Sequence, residues 1–166
     1  MFKLILKSFL IILTLQFTLQ AREINLNTII DTATKTDKHL FVWLHKTDCG
    51  YCENMKEFTL QNDTIKAFID KNFIYVHINV YEKDTVIYKS FQGNGREFAK
   101  KIGYDFYPTS LFFNEKKDLI LPEVGYIDNE IKSNEQRFFT ILNYISSKSY
   151  KKMDYEDYVF DIQEEL

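Results

Sequence analysis

Apolar positions along the chain switch between a helical and a strand rhythm, and the switches mark out the elements. Leu26, Ile29, Ile30 and Ala33 recur at helical spacing within residues 25–38, behind Asn25 or Asn27 as an N-cap. Residues 39–45, HLFVWLH, then run apolar without alternation, which suits a strand covered on both faces, as in a parallel sheet. The segment CENMKEF after it reads as a helix. Asn62 and Asp63 cap a helix over residues 64–72 with Ile65, Phe68 and Ile69 on one side, and FIYVHINV (73–80) reads as the second strand. Strands separated by helical segments predict parallel pairing through a right-handed crossover.

Further on, residues 86–88 suit a short strand, 93–95 a glycine turn, and 96–103 a helix closing at Gly103. A strand is expected from Pro108 to Phe113. The polar turn NEKKD is too short for a crossover, so LILPEVGY (119–126) is expected to return antiparallel, with Pro122 assigning it to a sheet edge. Phe138, Ile141, Leu142 and Ile145 share one face of a helix over 134–147, and a tail of about 18 residues adds a short helix. No internal repeat, low-complexity tract or second domain is visible.

The first residues follow a different pattern. Lys3 and Lys7 precede SFLIILTLQFTL (8–19), an apolar run shorter than the roughly 20 residues of a membrane span. Ala21 offers a small residue for cleavage, with Leu19 at the −3 position. The expectation is a signal peptide over 1–21 and one domain over 22–166, exported to the periplasm; an uncleaved anchor is the alternative. Residues 1–21 carry two lysines and no acid, so their removal moves the net charge of −3 to −5. No basic patch points to nucleic acid. With 45% hydrophobic residues, 15 Phe and 11 Tyr, the chain has ample material for a core. Acidic residues gather in the tail, which reads as a solvated edge.

The chemistry-bearing feature is TDCGYCENM, which holds both cysteines, Cys49 and Cys52, ahead of a helix. A thiolate is the reactive form of cysteine, and the unpaired N–H groups of a helix N-terminus stabilise it. In that position Cys49 is the exposed, attacking thiol and Cys52, one turn later, the buried resolving one. Three other readings stand beside this. A structural staple closing so small a loop removes little unfolded-state entropy. A zinc site normally takes four ligands, and beyond the cysteines only His39, His45 and His77 are at hand. A c-type haem site requires His where Glu53 stands. No metal and no cofactor is expected, because a dithiol carries its own electrons.

These residues resemble those of the thioredoxin-fold oxidoreductases. FVWLHKTDCGYC sets the C-x-x-C beyond a buried strand, IGYDFYPTSLFF resembles the segment in which a cis-proline and a threonine open the next strand, and EVGYIDNE resembles the glycine-containing strand before the last helix. The resemblance runs over about residues 24–148. It implies an α/β thioredoxin fold with a mixed central sheet flanked by helices, and an insertion before the cis-proline strand. It places Pro108 as the cis-proline, with Tyr107 and Thr109 positioning the substrate beside the cysteines. Exported thioredoxin-like proteins of the SoxW-like group share the insertion, the CxYC start and a Tyr/Met-rich tail. Gly50-Tyr51 also matches the periplasmic isomerase DsbC, whose separate dimerisation domain has no counterpart here, so a monomer is expected.

Departures from the family pattern tune the expectation. Trp43 occupies the place of a buried aspartate, and His77 that of its neighbouring lysine. Both read most simply as core residues, His45 as structural; the sharper reading makes His77 the acceptor of the Cys52 proton, since histidine titrates near neutral pH. Asp48 replaces the tryptophan before the first cysteine, and a carboxylate there tends to raise the Cys49 pKa and to disfavour a strong oxidant. The resulting expectation is a periplasmic thiol–disulfide oxidoreductase that reduces disulfides of exported proteins and is recharged by a membrane electron donor of the DsbD type. An isomerase or oxidase of the same fold, and a non-catalytic metal-binding or chaperone module, are the alternatives.

Overall fold

A computed structural model describes residues 21–126 and 131–164. The expected signal segment falls outside them, apart from Ala21. A short strand β1 (Glu23–Asn25) leads into helix α1 (Leu26–Lys35), whose N-cap Asn25 accepts the Thr28 N–H. Strand β2 (His39–His45) follows, then α2 (Gly50–Asn54), which continues as a π-helical segment (Met55–Leu60), and α3 (Asp63–Asn72). Next come β3 (Phe73–Asn79), β4 (Thr85–Tyr88), β5 (Phe91–Asn94) and α4 (Gly95–Lys101). The chain closes with β6 (Thr109–Phe113), β7 (Leu119–Val124), α5 (Ile131–Ser146) and α6 (Tyr155–Glu164).

Four strands form a mixed sheet in the order β3-β2-β6-β7, with β2 and β3 parallel and the other two pairings antiparallel. β7 is an edge strand, which accommodates Pro122. The single expected sheet is in fact two: β1, β4 and β5 form a separate three-stranded sheet in the order β1-β4-β5. The expected turn at 93–95 is a correction too. Gly93 and Asn94 complete β5, Asn94 and Glu97 form a reciprocal capping box, and Gly95 begins α4. A Cβ on Gly95 would lie 2.8 Å from Ile78 Cγ2 and 3.2 Å from Val80 Cα, so close backbone approach, not a bend, explains that glycine.

Alternation along β2 builds a core on each face of the four-stranded sheet. Phe41 and Trp43 point with Phe112 of β6 towards the cysteines, Met55, Ile65, Ile69 and the α5 residues Phe138, Ile141 and Leu142. Leu40, Val42 and Leu44 point with Leu111 and Phe113 the other way, against α1, α4 and β4. Burying each such side chain contributes about 1.5–3 kcal/mol, which is why the apolar runs decide the sheet. The tail folds back on α5: Tyr144 makes ring contacts with Tyr150, Tyr155 and Tyr158 at 5.2–6.5 Å and donates its hydroxyl to the Met153 carbonyl.

Candidate active site

The C-x-x-C sits where β2 hands the chain to α2, and each step of that hand-over has a cause. The β2–β3 ladder extends past the strand, with Val80 N–H donating to the His45 carbonyl at 2.9 Å. Asn79 then ties the loop: its amide donates to Thr47 Oγ1 at 3.0 Å, and its Oδ1 accepts the Tyr81 N–H. Asp48 takes a left-handed φ of 55°, a conformation that aspartate tolerates better than most residues. The chain thus turns so that Cys49 enters as the N-cap of α2 in extended geometry.

Cys49 and Cys52 are joined by a disulfide with Cα atoms 5.2 Å apart. The Cys49 Sγ accepts the backbone N–H of Cys52 at 3.2 Å, and the Cys49 carbonyl accepts the N–H groups of Cys52 and Glu53. The helix end therefore directs a donor at the first sulfur. Cys52 is fully buried and Cys49 only 6% exposed, which corrects the expectation of an exposed first thiol. The cause is the segment lying over it. The Tyr107–Pro108 bond is cis, and the Tyr107 carbonyl oxygen stands 3.9 Å from Cys49 Sγ. In a reduced pair the Cys49 thiol has an acceptor there.

The proline turn is itself held from two sides. Thr109, fully buried, donates its hydroxyl to the Phe106 carbonyl at 2.6 Å. Gly125, at φ +90°, donates its N–H to the Pro108 carbonyl at 2.9 Å, so the end of β7 braces the turn. Tyr51 is 52% exposed beside the disulfide, and Gly50 faces open space.

The histidine expectations divide. Trp43 is buried in the core beside the cysteines. His77 is exposed on the edge strand β3, not in the core, because an edge strand has a neighbour on one side only. Its Nδ1 lies 3.3 Å from His45 Nε2. His45 stacks on Trp43 with centroids 4.4 Å apart, and burial, then His77 and Lys56, push its pKa down to about 4. At neutral pH the His45 ring is uncharged. Among the described residues, no three His, Cys, Asp or Glu side chains come together as a metal cluster.

Three positioning residues escape the sequence reading: Asn79, Thr47 and Gly125 in its bracing role. A polar residue near the end of the apolar run FIYVHINV was the available signal for Asn79. Beside the site, Lys46, Tyr81, Arg96, Asp105, Phe106 and Tyr107 line an open cleft of about 380 Å³.

Comparison with known proteins agrees with this fold. A thioredoxin-fold protein from Helicobacter pylori superimposes with a TM-score of 0.62 at 20% identity, over 76% of this chain and 81% of that one. A thioredoxin from Thermus thermophilus gives a TM-score of 0.56 at 17% identity, over 75% and 86%. At such identities the likeness shows the fold. In sequence, an uncharacterised protein of Archaeoglobus fulgidus is 33% identical over 54 residues, which spans 32% of this chain and 42% of that protein. The family model described as a thioredoxin-like domain matches residues 26–144, and the chain belongs to that family.

Proposed function

We propose that this protein is a periplasmic thiol–disulfide oxidoreductase of the exported, SoxW-like kind that reduces disulfides in other exported proteins. The observation that carries the reading is the environment of Cys49 Sγ, which receives the Cys52 N–H at the start of α2 and faces the Tyr107 carbonyl. That N–H favours the thiolate. In the reduced protein the Cys49 thiolate attacks a client disulfide, forming a mixed disulfide and releasing one client sulfur as a thiolate. Cys52 then gives up its proton and attacks Cys49 Sγ, which restores the Cys49–Cys52 disulfide and frees the second client sulfur. Two electrons pass to the client, and a dithiol donor of the DsbD type returns them.

Pro108 and the Tyr107 backbone hold the client segment against the sulfurs, with Thr109 locking the turn. His77, whose Nδ1 lies 3.3 Å from His45 Nε2, accepts the Cys52 proton. Gly50, Tyr51 and Asp48 set the exposure and field around Cys49. The signal over 1–21 delivers the domain over 22–166 as a monomer. No helix among the described residues is long and apolar enough to cross a membrane.

Trapping tests the assignment. Cys52→Ser stalls the reaction at the mixed disulfide, so a client accumulates covalently on Cys49 and is identified by mass spectrometry. Capture by Cys49→Ser and not by Cys52→Ser reverses the two roles. A reduction potential near about −270 mV fits a reductase, and one near about −120 mV overturns the direction of electron flow.

A further inference from the structure

The cleft beside Tyr107 combines exposed aromatic side chains with two cations. Three of the six exposed large apolar side chains among the described residues lie in the motif or in this cleft: Tyr51 within the motif, and Tyr81 and Phe106 in the cleft, at 57% and 67% exposure. Two cations, Lys46 and Arg96, line the same cleft against one carboxylate, Asp105. Neither cation enters an ion pair among the described residues, so both charges are available to a ligand in the cleft. The cleft therefore carries a local excess of positive charge on a chain whose net charge is −3.

Its position relative to the sulfurs is fixed by shared residues. Tyr107 lines the cleft, and its carbonyl lies 3.9 Å from Cys49 Sγ. Lys46 precedes Cys49 by three residues, and Arg96 comes from the first turn of α4. The Tyr107 phenol is pushed above its ordinary pKa by burial, then by Asp105, with Arg96 opposing and Tyr81 adding to the rise. Asp105, Arg96 and Tyr81 therefore all lie close enough to Tyr107 to act on its phenol. An extended client chain advances about 3.3 Å per residue, so a residue next to the client cysteine reaches the cleft while the cysteine meets Cys49.

We propose that this cleft is a specificity subsite that takes an acidic side chain flanking the client's disulfide cysteine, with Lys46 and Arg96 as its charge partners and Phe106 and Tyr81 covering the apolar part of the same segment. The inference rests on the oxidoreductase reading and adds the substrate class to it. A surface cation gains little from one carboxylate, so the preference is modest, and it acts at contact and not by long-range steering, since the chain as a whole repels acids. Asp105 works against it.

The test uses the reduced full-length domain and three short disulfide-bonded peptides that are identical except for Glu, Gln or Lys next to the cysteine, with hydroxyethyl disulfide as a neutral reference. The expected order of second-order rate constants is Glu above Gln above Lys, with about a 2- to 5-fold step for each change at low salt, shrinking as salt is added. Each protein is read as the ratio of Glu to Lys peptide, so a general loss of activity cancels. Arg96→Gln and Lys46→Gln each lower that ratio towards one, and Asp105→Asn raises it, a change of sign that a structural defect would not produce. Reduction of hydroxyethyl disulfide with equal rates on the three peptides overturns the subsite and leaves the oxidoreductase reading in place. A ratio unchanged in Arg96→Gln and Lys46→Gln also overturns it. Failure to reduce hydroxyethyl disulfide or any peptide overturns both.

Discussion

His39 opens β2 at the end opposite the disulfide and is 5% exposed. Its Nε2 lies 3.0 Å from the Tyr150 hydroxyl, and the rings of Phe73 and Tyr150 enclose it. Burial first, then Lys148 and Lys151 against the opposing Glu115 and Asp37, bring its pKa from 6.5 to about 4. The sign follows. Between those two values the unfolded chain binds a proton that the folded chain refuses, so stability is present above the unfolded value and is lost as the pH falls. The slope is about 1.4 kcal/mol per pH unit, and over the window it amounts to about 3 kcal/mol as an upper value. His39→Phe keeps a packed ring and deletes the titration, at the loss of one hydrogen bond worth about 1 kcal/mol at pH 7. The variant is therefore less stable than the parent at pH 7 and more stable at pH 4, with the two curves crossing between about pH 6 and pH 5. Urea unfolding with the disulfide intact, at half-unit pH steps, measures this. His45, also held near pKa 4, remains in both proteins and cancels from the difference. Two curves that stay parallel from pH 7 to pH 4 refute the reasoning.

Other substitutions test the packing around the site. Glu123 of β7 is mostly buried, its carboxyl is raised by burial and lowered by Arg137, and the two groups meet at 2.8 Å. Arg137→Met leaves that carboxylate without its cation and lowers stability by about 1–3 kcal/mol at pH 7; the raised pKa means the loss shrinks as the pH falls and Glu123 protonates, which unfolding at pH 7 and pH 5 checks. Ser110 Oγ is buried with no partner among the described residues, so Ser110→Ala holds or raises the melting temperature in calorimetry. Gly95→Ala drives a methyl against Ile78 and the Val80 backbone and costs about 1–3 kcal/mol in urea unfolding, outweighing its better helix propensity.

The elements that the sequence announced clearly are those whose apolar pattern matches their burial. HLFVWLH is β2 to the residue, because both faces of that strand are covered and all but its last residue are buried. The NEKKD turn and Pro122 placed β7 correctly for local reasons, since turn length and a missing N–H are properties of the chain itself. What stayed hidden depends on partners remote in sequence. β1 has three residues and exists only through its pairing with β4, 62 positions later. Gly93 and Asn94 read as a turn because the β4 backbone that pairs with them leaves no mark on their side chains. His77 lies in a run that looks buried, yet which strand stands at the edge is decided by the order β3-β2-β6-β7, not by the strand.

The same division governs the site. The motif itself names the two cysteines, and Tyr-Pro-Thr names the turn, because each is a local chemical pattern. The burial of Cys49 is not local. It requires the Tyr107 carbonyl of the proline turn to close over a sulfur 58 residues away in the chain, and that turn is held by Thr109 from within and by the Gly125 N–H just past β7. Rigidity at the sulfurs is thus supplied by the β6–β7 hairpin, and the β2–α2 loop is held separately through Asn79 and Thr47. Two separate supports thus meet at one disulfide, and the cleft lined by Lys46, Arg96 and Tyr107 opens between the elements that carry them.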